Sequence, residues 1–191
     1  MNPPAPTLSG KNRRLWHEWQ TIEERLAHRT DIRYRVAARN AAGMPVGDLI
    51  DYHIRSICGT EHLDRLNEPG VANPPLFADH FLLRIDLPPG YPCIDAAPQF
   101  RFLSADEVGH PLPLPFHPNI RYFGALAGRV CLNATDTFTP LAWGIERIAL
   151  YLHYARYHAL PTPPYPEDRQ VAAWVLQQGE PNQWIYFSSN Y

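Results

Sequence analysis

Four short runs of alternating apolar and polar residues follow one another in this chain, with no helical pattern between them. Ile32, Tyr34 and Val36 alternate with arginines, and the same period of two returns over 50–55, 81–87 and 100–102. A period of two is typical of strands that bury one face. Since parallel strands need helical crossovers, strands without them pair with opposite directions. The pattern predicts a four-stranded antiparallel meander.

A helical pattern precedes the strands. Leu15, Trp19, Ile22 and Leu26 follow one another at spacings of 4, 3 and 4, which places them on one face of a helix over about 11–28. The charged residues between them, Glu18 among them, are predicted on the outer face. That face is either simply solvated or a docking surface for a partner.

Two further helical patterns follow the strands. Ile145, Ile148, Leu152 and Ala155 mark a second helix, and prolines within 161–166 stop it. A third helix begins at Glu167 and Asp168, because acidic residues suit the first turn of a helix. Between strands and helices lies a long proline-containing region, about 104–142, and loops of this length are often functional.

Together these elements predict an α+β fold and a single domain. The order is an N-terminal helix, a four-stranded antiparallel meander, an active-site loop and C-terminal helices. We expect residues 1–10 to form a disordered, proline-rich tail, residues 11–178 the catalytic domain, and residues 179–191 an aromatic C-terminal tail. Residues 59–75, rich in glycine and proline, are predicted to form a long exposed loop.

Charge and composition restrict the partners. The net charge is −2 and 45% of the residues are apolar, so we expect no nucleic-acid or membrane partner, both of which reward dense basic patches. The chain has no apolar run near the ~20 residues that span a bilayer and no signal-peptide pattern. We therefore expect a cytoplasmic protein with reduced cysteines. Their spacing gives no metal site, and no cofactor is expected.

The basic residues are nearly all arginine. Of 17 basic residues only Lys11 is a lysine. Arginine stays protonated, whereas lysine can lose its proton and attack an acyl group. A protein that carries an activated acyl group would gain from having few lysines. A GC-rich genome would also produce this composition.

A thiol near an amide is the strongest chemical signal in the chain. His117-Pro118-Asn119 precedes a segment in which Cys131 is flanked by Gly128 and Asn133. A thiolate is a strong nucleophile, and an asparagine amide can donate to an oxyanion. Asn119 either performs that donation or braces the loop. Pro118 fixes its own backbone angle and biases its predecessor, and His117 is interpreted as a structural residue.

These segments resemble the ubiquitin-conjugating enzyme family. His117-Pro118-Asn119 matches its His-Pro-Asn motif, and Gly128–Asn133 resembles the segment around its catalytic cysteine. Trp143 resembles the tryptophan that opens the following helix. The stretch 90–102 resembles the family's Tyr-Pro-Phe segment and the strand after it, with Cys93 at the phenylalanine position. The resemblance covers roughly residues 11–178.

The resemblance implies a fold and a function. It implies that Cys131 accepts a ubiquitin-like modifier as a thioester from an adenylating, activating enzyme. The modifier then passes to a lysine amine of a target protein. The sequence pattern diverges from the usual family motifs, and in this it resembles bacterial ubiquitin-conjugating-like proteins of antiphage operons, the Bil systems among them. Cys131 follows Asn119 by twelve positions, more than is usual in the family, and Tyr122, Phe123, Gly124 and Ala125 belong to the excess.

Two carboxylates are candidates to position the attacking amine. Asp136 lies just beyond Cys131, and Asp168 lies at the start of the third helix. A carboxylate can hold the amine but raises its pKa, so desolvation must lower it. Either residue can instead be a helix cap or a surface charge. Cys58 and Cys93 are interpreted as small buried apolar residues.

Two other functions compete with conjugation. The same fold can bind a ubiquitin-like protein without carrying it. The residue types of Cys131, His117 and Asn119 are also those of a cysteine protease, although no strong helix begins at the cysteine to lower its pKa.

Overall fold

The computed structural model describes residues 8, 10–91, 97–132 and 140–187. Helix α1 spans Gly10–Leu26, and six strands follow: β1 (Ile32–Arg39), β2 (Pro45–Tyr52), β3 (Ser56–Thr60), β4 (Pro75–Ala78), β5 (Phe81–Asp86) and β6 (Gln99–Phe102). Helices α2 (Leu141–Leu152) and α3 (Arg169–Trp174) complete the chain, and α3 continues as a π-helical turn over Val175–Gly179. Cys93 and Asp136 lie outside the described residues.

The predicted four-stranded antiparallel sheet is confirmed. Its order is β1-β2-β5-β6, and one row of side chains crosses it, since Tyr34 pairs with Ile50, Ile50 with Leu83, and Leu83 with Phe102. These are positions of the alternating apolar pattern. Helices α1 and α2 contribute to the same apolar core. There the hydroxyl of Tyr52 donates a 2.9 Å hydrogen bond to the carbonyl oxygen of Ile145.

Residues 59–75 are largely exposed, as predicted, although the segment also contains short regular elements and one buried anchor. The segment contains the end of β3, a short 3-10 helix over Leu63–Arg65 and the start of β4, which pairs with β3 in a second small sheet. Asn73 is completely buried. Its side chain exchanges hydrogen bonds of 2.8 and 2.7 Å with the backbone of His62, and the Trp174 indole donates to its carbonyl oxygen at 2.9 Å. These contacts fold the segment onto α3.

The first helix differs from its prediction at one residue. Glu18, expected on the outer face, is buried, whereas Trp19 is only half-buried. The Glu18 carboxylate accepts a 3.0 Å hydrogen bond from the backbone N–H of Leu141 and pairs with Arg14 at 2.6 Å. A buried carboxylate needs such partners. Glu18 therefore caps the first turn of α2 from α1.

The end of helix α2 and the C-terminal tail also differ in detail from their predictions. Helix α2 stops at Leu152, before the expected Ala155, because Tyr154 adopts a left-handed backbone conformation with φ of 53°. Within the tail, Ile185 is 1% exposed and the Trp184 ring stacks on Trp174 at 6.3 Å. The described part of the aromatic tail thus covers a second core, which includes Ile57, Phe116, Val171 and Trp174. Among the described residues, no helix combines the length and apolar character needed to cross a membrane.

Candidate active site

A hairpin places Cys131 beside Asn119. The backbone N–H of Cys131 donates to the carbonyl oxygen of Asn119 at 2.8 Å, and Arg121 and Arg129 are joined in the same way at 2.8 Å. Ile120 and Val130 pair between them as an antiparallel bridge. The excess residues of the Asn119–Cys131 interval lie at the turn of this hairpin. They lengthen the turn without separating the two residues at its base.

The returning arm of the hairpin lies against β6. Val130 donates to the carbonyl oxygen of Phe100 at 3.0 Å, and Phe102 donates to that of Gly128 at 2.8 Å. Gly128 has φ of +88°, and a Cβ there would lie 2.1 Å from the Phe102 carbonyl oxygen. Only glycine fits both this conformation and this approach. Gly128 therefore sets how closely the cysteine arm packs on the sheet.

The Asn119 side chain is held at one end. The residue is 1% exposed, and its Oδ1 accepts a 3.0 Å hydrogen bond from the backbone N–H of His158. Since an N–H can only donate, the atom facing His158 must be the amide oxygen. The Nδ2 donor then lies at the opposite end of the amide. The hydrogen bond to Oδ1 braces the segment around His158, and the Nδ2 donor remains for the oxyanion role. The arrangement is therefore compatible with both predicted roles of Asn119.

His117 lies in a hydrogen-bonded structural position. Its Nδ1 accepts from the backbone N–H of Asn119 at 3.1 Å, so Nε2 carries the proton and donates to the Arg156 carbonyl oxygen at 3.0 Å. The ring is 1% exposed, and burial lowers its pKa to about 3. A neutral imidazole with both nitrogens engaged is unsuited to take a proton from Cys131. This counts for the structural interpretation and against a protease.

Asp168 anchors the hairpin and caps α3. Its Oδ1 accepts from the backbone N–H groups of Gln170 (3.0 Å) and Val171 (3.2 Å). Its Oδ2 accepts from those of Tyr122 (2.9 Å) and Phe123 (3.3 Å). The carboxylate is buried, and its own N–H donates to the Pro118 carbonyl oxygen at 2.9 Å. This geometry matches the cap alternative and leaves little capacity to hold an amine.

Tyr151 connects α2 to the cysteine segment. Its hydroxyl donates a 3.1 Å hydrogen bond to the carbonyl oxygen of Leu132, and its ring stacks on His117 with centroids 4.9 Å apart. Burial raises the pKa of Tyr151, the Arg147 guanidinium opposes this, and negative charge on Cys131 raises that pKa further. The Tyr151 hydroxyl therefore bonds the main chain of the residue next to Cys131. Cys131 itself is half-buried.

An open polar pocket adjoins this group. Its volume is about 390 Å³, and its walls come from the loop motif, α2 and the segment after α2: Asn119, Arg147, Tyr151, Ala155, Arg156, Tyr157 and His158. Sequence reasoning missed all of these except Asn119. Tyr151 had a detectable signal, a hydroxyl-bearing residue on the apolar face of α2. The placement of His158 depends on a backbone contact 39 positions away, which no local pattern reveals. Within the described ranges, no three His, Cys, Asp or Glu residues form a group that could hold a metal ion.

The fold is that of ubiquitin-conjugating enzymes. A protein from Plasmodium yoelii assigned as a ubiquitin conjugating enzyme matches with a TM-score of 0.50 and 20% identity, over 94% of this chain and 90% of that chain. A domain of a Toxoplasma gondii ubiquitin conjugating enzyme matches with a TM-score of 0.44 and 19% identity, over 91% of this chain and 90% of that chain. No protein-family model and no curated protein matches the sequence.

Proposed function

We propose that this protein carries a ubiquitin-like modifier as a thioester on Cys131 and transfers it to an amine. An adenylating, activating enzyme supplies the modifier as its own thioester. The Cys131 thiolate attacks the modifier's terminal carbonyl, and the thiolate of the activating enzyme leaves. A lysine amine of a target protein then attacks the Cys131 thioester, forms an amide and releases the thiol. The reaction is an acyl transfer that needs no cofactor on this chain.

The observation that carries the proposal is the hydrogen bond between Cys131 and Asn119, beside an open pocket that Asn119 and Tyr151 line. The backbone bond from Cys131 to Asn119 brings the thiol to the same end of the hairpin as the asparagine amide. The pocket beside them offers room for an acceptor. The fold supports the same function, because the ubiquitin-conjugating arrangement supplies both the hairpin and the helix that follows it.

A gel assay tests the proposal. The protein is mixed with the modifier, the activating enzyme and ATP, and is run with and without thiol reductant. We expect a reductant-labile adduct in the native protein, a reductant-resistant oxyester in Cys131→Ser and no adduct in Cys131→Ala. Charging of Cys131→Ala would refute the site. If the native protein binds the modifier but forms no adduct, the fold serves as a binding module instead.

We propose a bacterial antiphage conjugation operon, of which the Bil systems are one kind, as the setting of this protein, and the cytoplasm as its location. The support is the divergence of the motif region in the sequence, and the cytoplasmic location is part of that proposed setting. A ubiquitin-like gene and an adenylating-enzyme gene beside this one would support the assignment. A neighbourhood with neither would contradict it.

A further inference from the structure

The pocket beside Cys131 is positively charged. Two arginines, Arg147 and Arg156, stand in its wall, and none of its described lining residues is an aspartate or glutamate. Burial raises the pKa of the Tyr151 hydroxyl, and both guanidinium groups oppose that rise. Their charges therefore act on the same place, the hydroxyl that bonds the main chain next to Cys131.

These two arginines are not neutralised within the described part of the chain. Arg121 and Arg129, the arginines of the hairpin, both pair with Glu167, at 3.3 and 2.7 Å. No described carboxylate lies within 4.0 Å of Arg147 or Arg156.

Arg147 is also held in place by aromatic rings. Its guanidinium lies 5.5 Å from the centre of the Trp143 ring and 5.6 Å from that of Tyr151. Its Nε donates to the Tyr151 hydroxyl at 3.5 Å. The ring contacts orient the planar group and leave its remaining N–H donors available for an anion.

A pocket of this charge has consequences for the attacking amine. Nearby positive charge lowers the pKa of a lysine and so favours its neutral, nucleophilic form. The same charge repels the protonated lysine that must first approach. An acceptor that brings its own carboxylate overcomes the repulsion, because an arginine pair binds carboxylates well.

We propose that Arg147 and Arg156 form an anion subsite beside Cys131 that binds an aspartate or glutamate next to the acceptor lysine. This inference rests on the proposed function, and it goes further by naming the class of acceptor. The preferred target segment has a lysine with acidic neighbours. A lysine among neutral or basic neighbours is a poor acceptor.

Alkylation of Cys131 tests the subsite without the modifier. Iodoacetate and iodoacetamide attack the same thiol but differ in charge, and mass spectrometry of the Cys131 peptide separates this site from Cys58. The ratio of the iodoacetate rate to the iodoacetamide rate should fall about threefold in each of Arg147→Gln and Arg156→Gln. Arg129→Gln is the matched control. It removes an arginine from the hairpin that carries Cys131, but Glu167 already neutralises the charge of this arginine.

The control decides the result. A ratio that is unchanged in the two pocket variants overturns the subsite. An equal fall in Arg129→Gln also overturns it, because general surface charge would then explain the effect.

Transfer tests the acceptor class. The charged protein is offered two peptides of equal length, one with Glu-Lys-Glu and one with Gln-Lys-Gln at its centre. We expect faster discharge to the acidic peptide and loss of that preference in the Arg147→Gln, Arg156→Gln double variant. Equal discharge to both peptides overturns the proposal. The proposal is also overturned if the double variant slows loading as much as discharge, relative to wild type, since the pocket would then bind the modifier and not the acceptor. If native Cys131 never charges, the proposed function fails, while the alkylation ratio still decides the subsite.

Discussion

The backbone N–H of Cys131 donates a 2.8 Å hydrogen bond to the carbonyl oxygen of Asn119. Twelve positions separate these residues in the sequence, yet the hairpin places them opposite each other. Because the hydrogen bond belongs to the backbone, substitution by Ala, Ser or Asp at either position leaves its donor and acceptor in place. The roles of the thiol and the amide can therefore be separated by mutation without opening the hairpin.

Asn119→Ala should slow discharge of the thioester more than loading. The amide is the group that could donate to the oxyanion, and losing one such donor typically costs about 10²–10³ in rate. Single-turnover discharge to free lysine measures the effect, with loading followed separately. Equal slowing of both steps would instead show that Asn119 only braces the 158 segment.

Asn119→Asp provides the matched variant. An aspartate keeps an oxygen to accept from the His158 N–H and removes the Nδ2 donor. If donation matters, this variant discharges as poorly as Asn119→Ala. Discharge at the wild-type rate would rule out the oxyanion role.

Asp168→Ala should lower stability by about 2 kcal/mol. The substitution removes the cap of α3 and leaves four backbone N–H groups without their acceptor, and caps and buried acceptors each contribute about 1 kcal/mol or more. Urea unfolding measures the loss. Asp64→Ala, at an exposed position in the 3-10 helix, is the control and should stay within about 0.5 kcal/mol of wild type.

A catalytic Asp168 would behave differently. Asp168→Asn retains a single acceptor oxygen, enough for the cap but not for Tyr122 and Phe123 as well. We expect it to lose part of the stability, with loading and discharge reduced together. A stable Asp168→Asn protein that loads normally and fails only in discharge would restore the amine-positioning role.

Local periodicity predicted the elements that repeat a pattern and missed the contacts that cross the chain. The strand rows through Ile50 and Leu83 follow from alternation, since each side chain faces the opposite side from the next. Glu18 was misplaced because its charge suggested the surface, although its spacing from Leu15 and Ile22 fits the buried stripe. Its partner, the N–H of Leu141, lies 123 positions away.

The site shows the same division. The residue types of Cys131, Asn119 and His117 and their order could be predicted from the sequence. The pocket could not, because Arg147 on α2 and Arg156 after it line it only through the packing of α2 beside the hairpin, which Tyr151 joins to Leu132. The segment 59–75 is largely exposed, as predicted, but its anchor Asn73 was missed for a similar reason, since Trp174, which holds it, lies 101 positions away.

Gly128→Ala should disrupt the cysteine arm. A Cβ at this position meets the Phe102 carbonyl oxygen at 2.1 Å in a backbone with φ of +88°, so the arm must move away from β6. We expect a loss of more than about 2 kcal/mol in stability and a large fall in charging of Cys131. Gly124→Ala isolates the backbone strain, because Gly124 has φ of +81° and nothing within 4 Å of its Cβ. It should cost only about 1 kcal/mol. Equal losses in the two variants would show that strain alone, without the contact to β6, explains the effect.

Asp48→Asn should make the protein more sensitive to acid. Burial raises the pKa of Asp48 to about 6, against the hydrogen bond from Tyr34, and burial lowers the pKa of His117 to about 3. The folded state binds the Asp48 proton more tightly than the unfolded state, so this residue lowers stability as pH rises from about 4 to 6. For His117 the unfolded state binds the proton more tightly than the folded state. Its contribution to stability is therefore complete above pH ~6.5 and is lost as pH falls.

The titrations of Asp48 and His117 change stability in opposite directions between pH ~4 and 6. Together these two residues therefore change wild-type stability little over that range. Asparagine keeps an oxygen that accepts from the Tyr34 hydroxyl, which lies 2.8 Å from Asp48, and removes only the titration. Relative to wild type, the variant should gain about 2–3 kcal/mol at pH 7 and lose about 1.5 kcal/mol of that gain between pH 6 and 4.5. Urea unfolding of both proteins at pH 7, 6, 5 and 4.5 measures the difference, with the exposed Asp64→Asn as the control. A constant difference between variant and wild type across this range would show that Asp48 keeps an ordinary pKa in the folded protein.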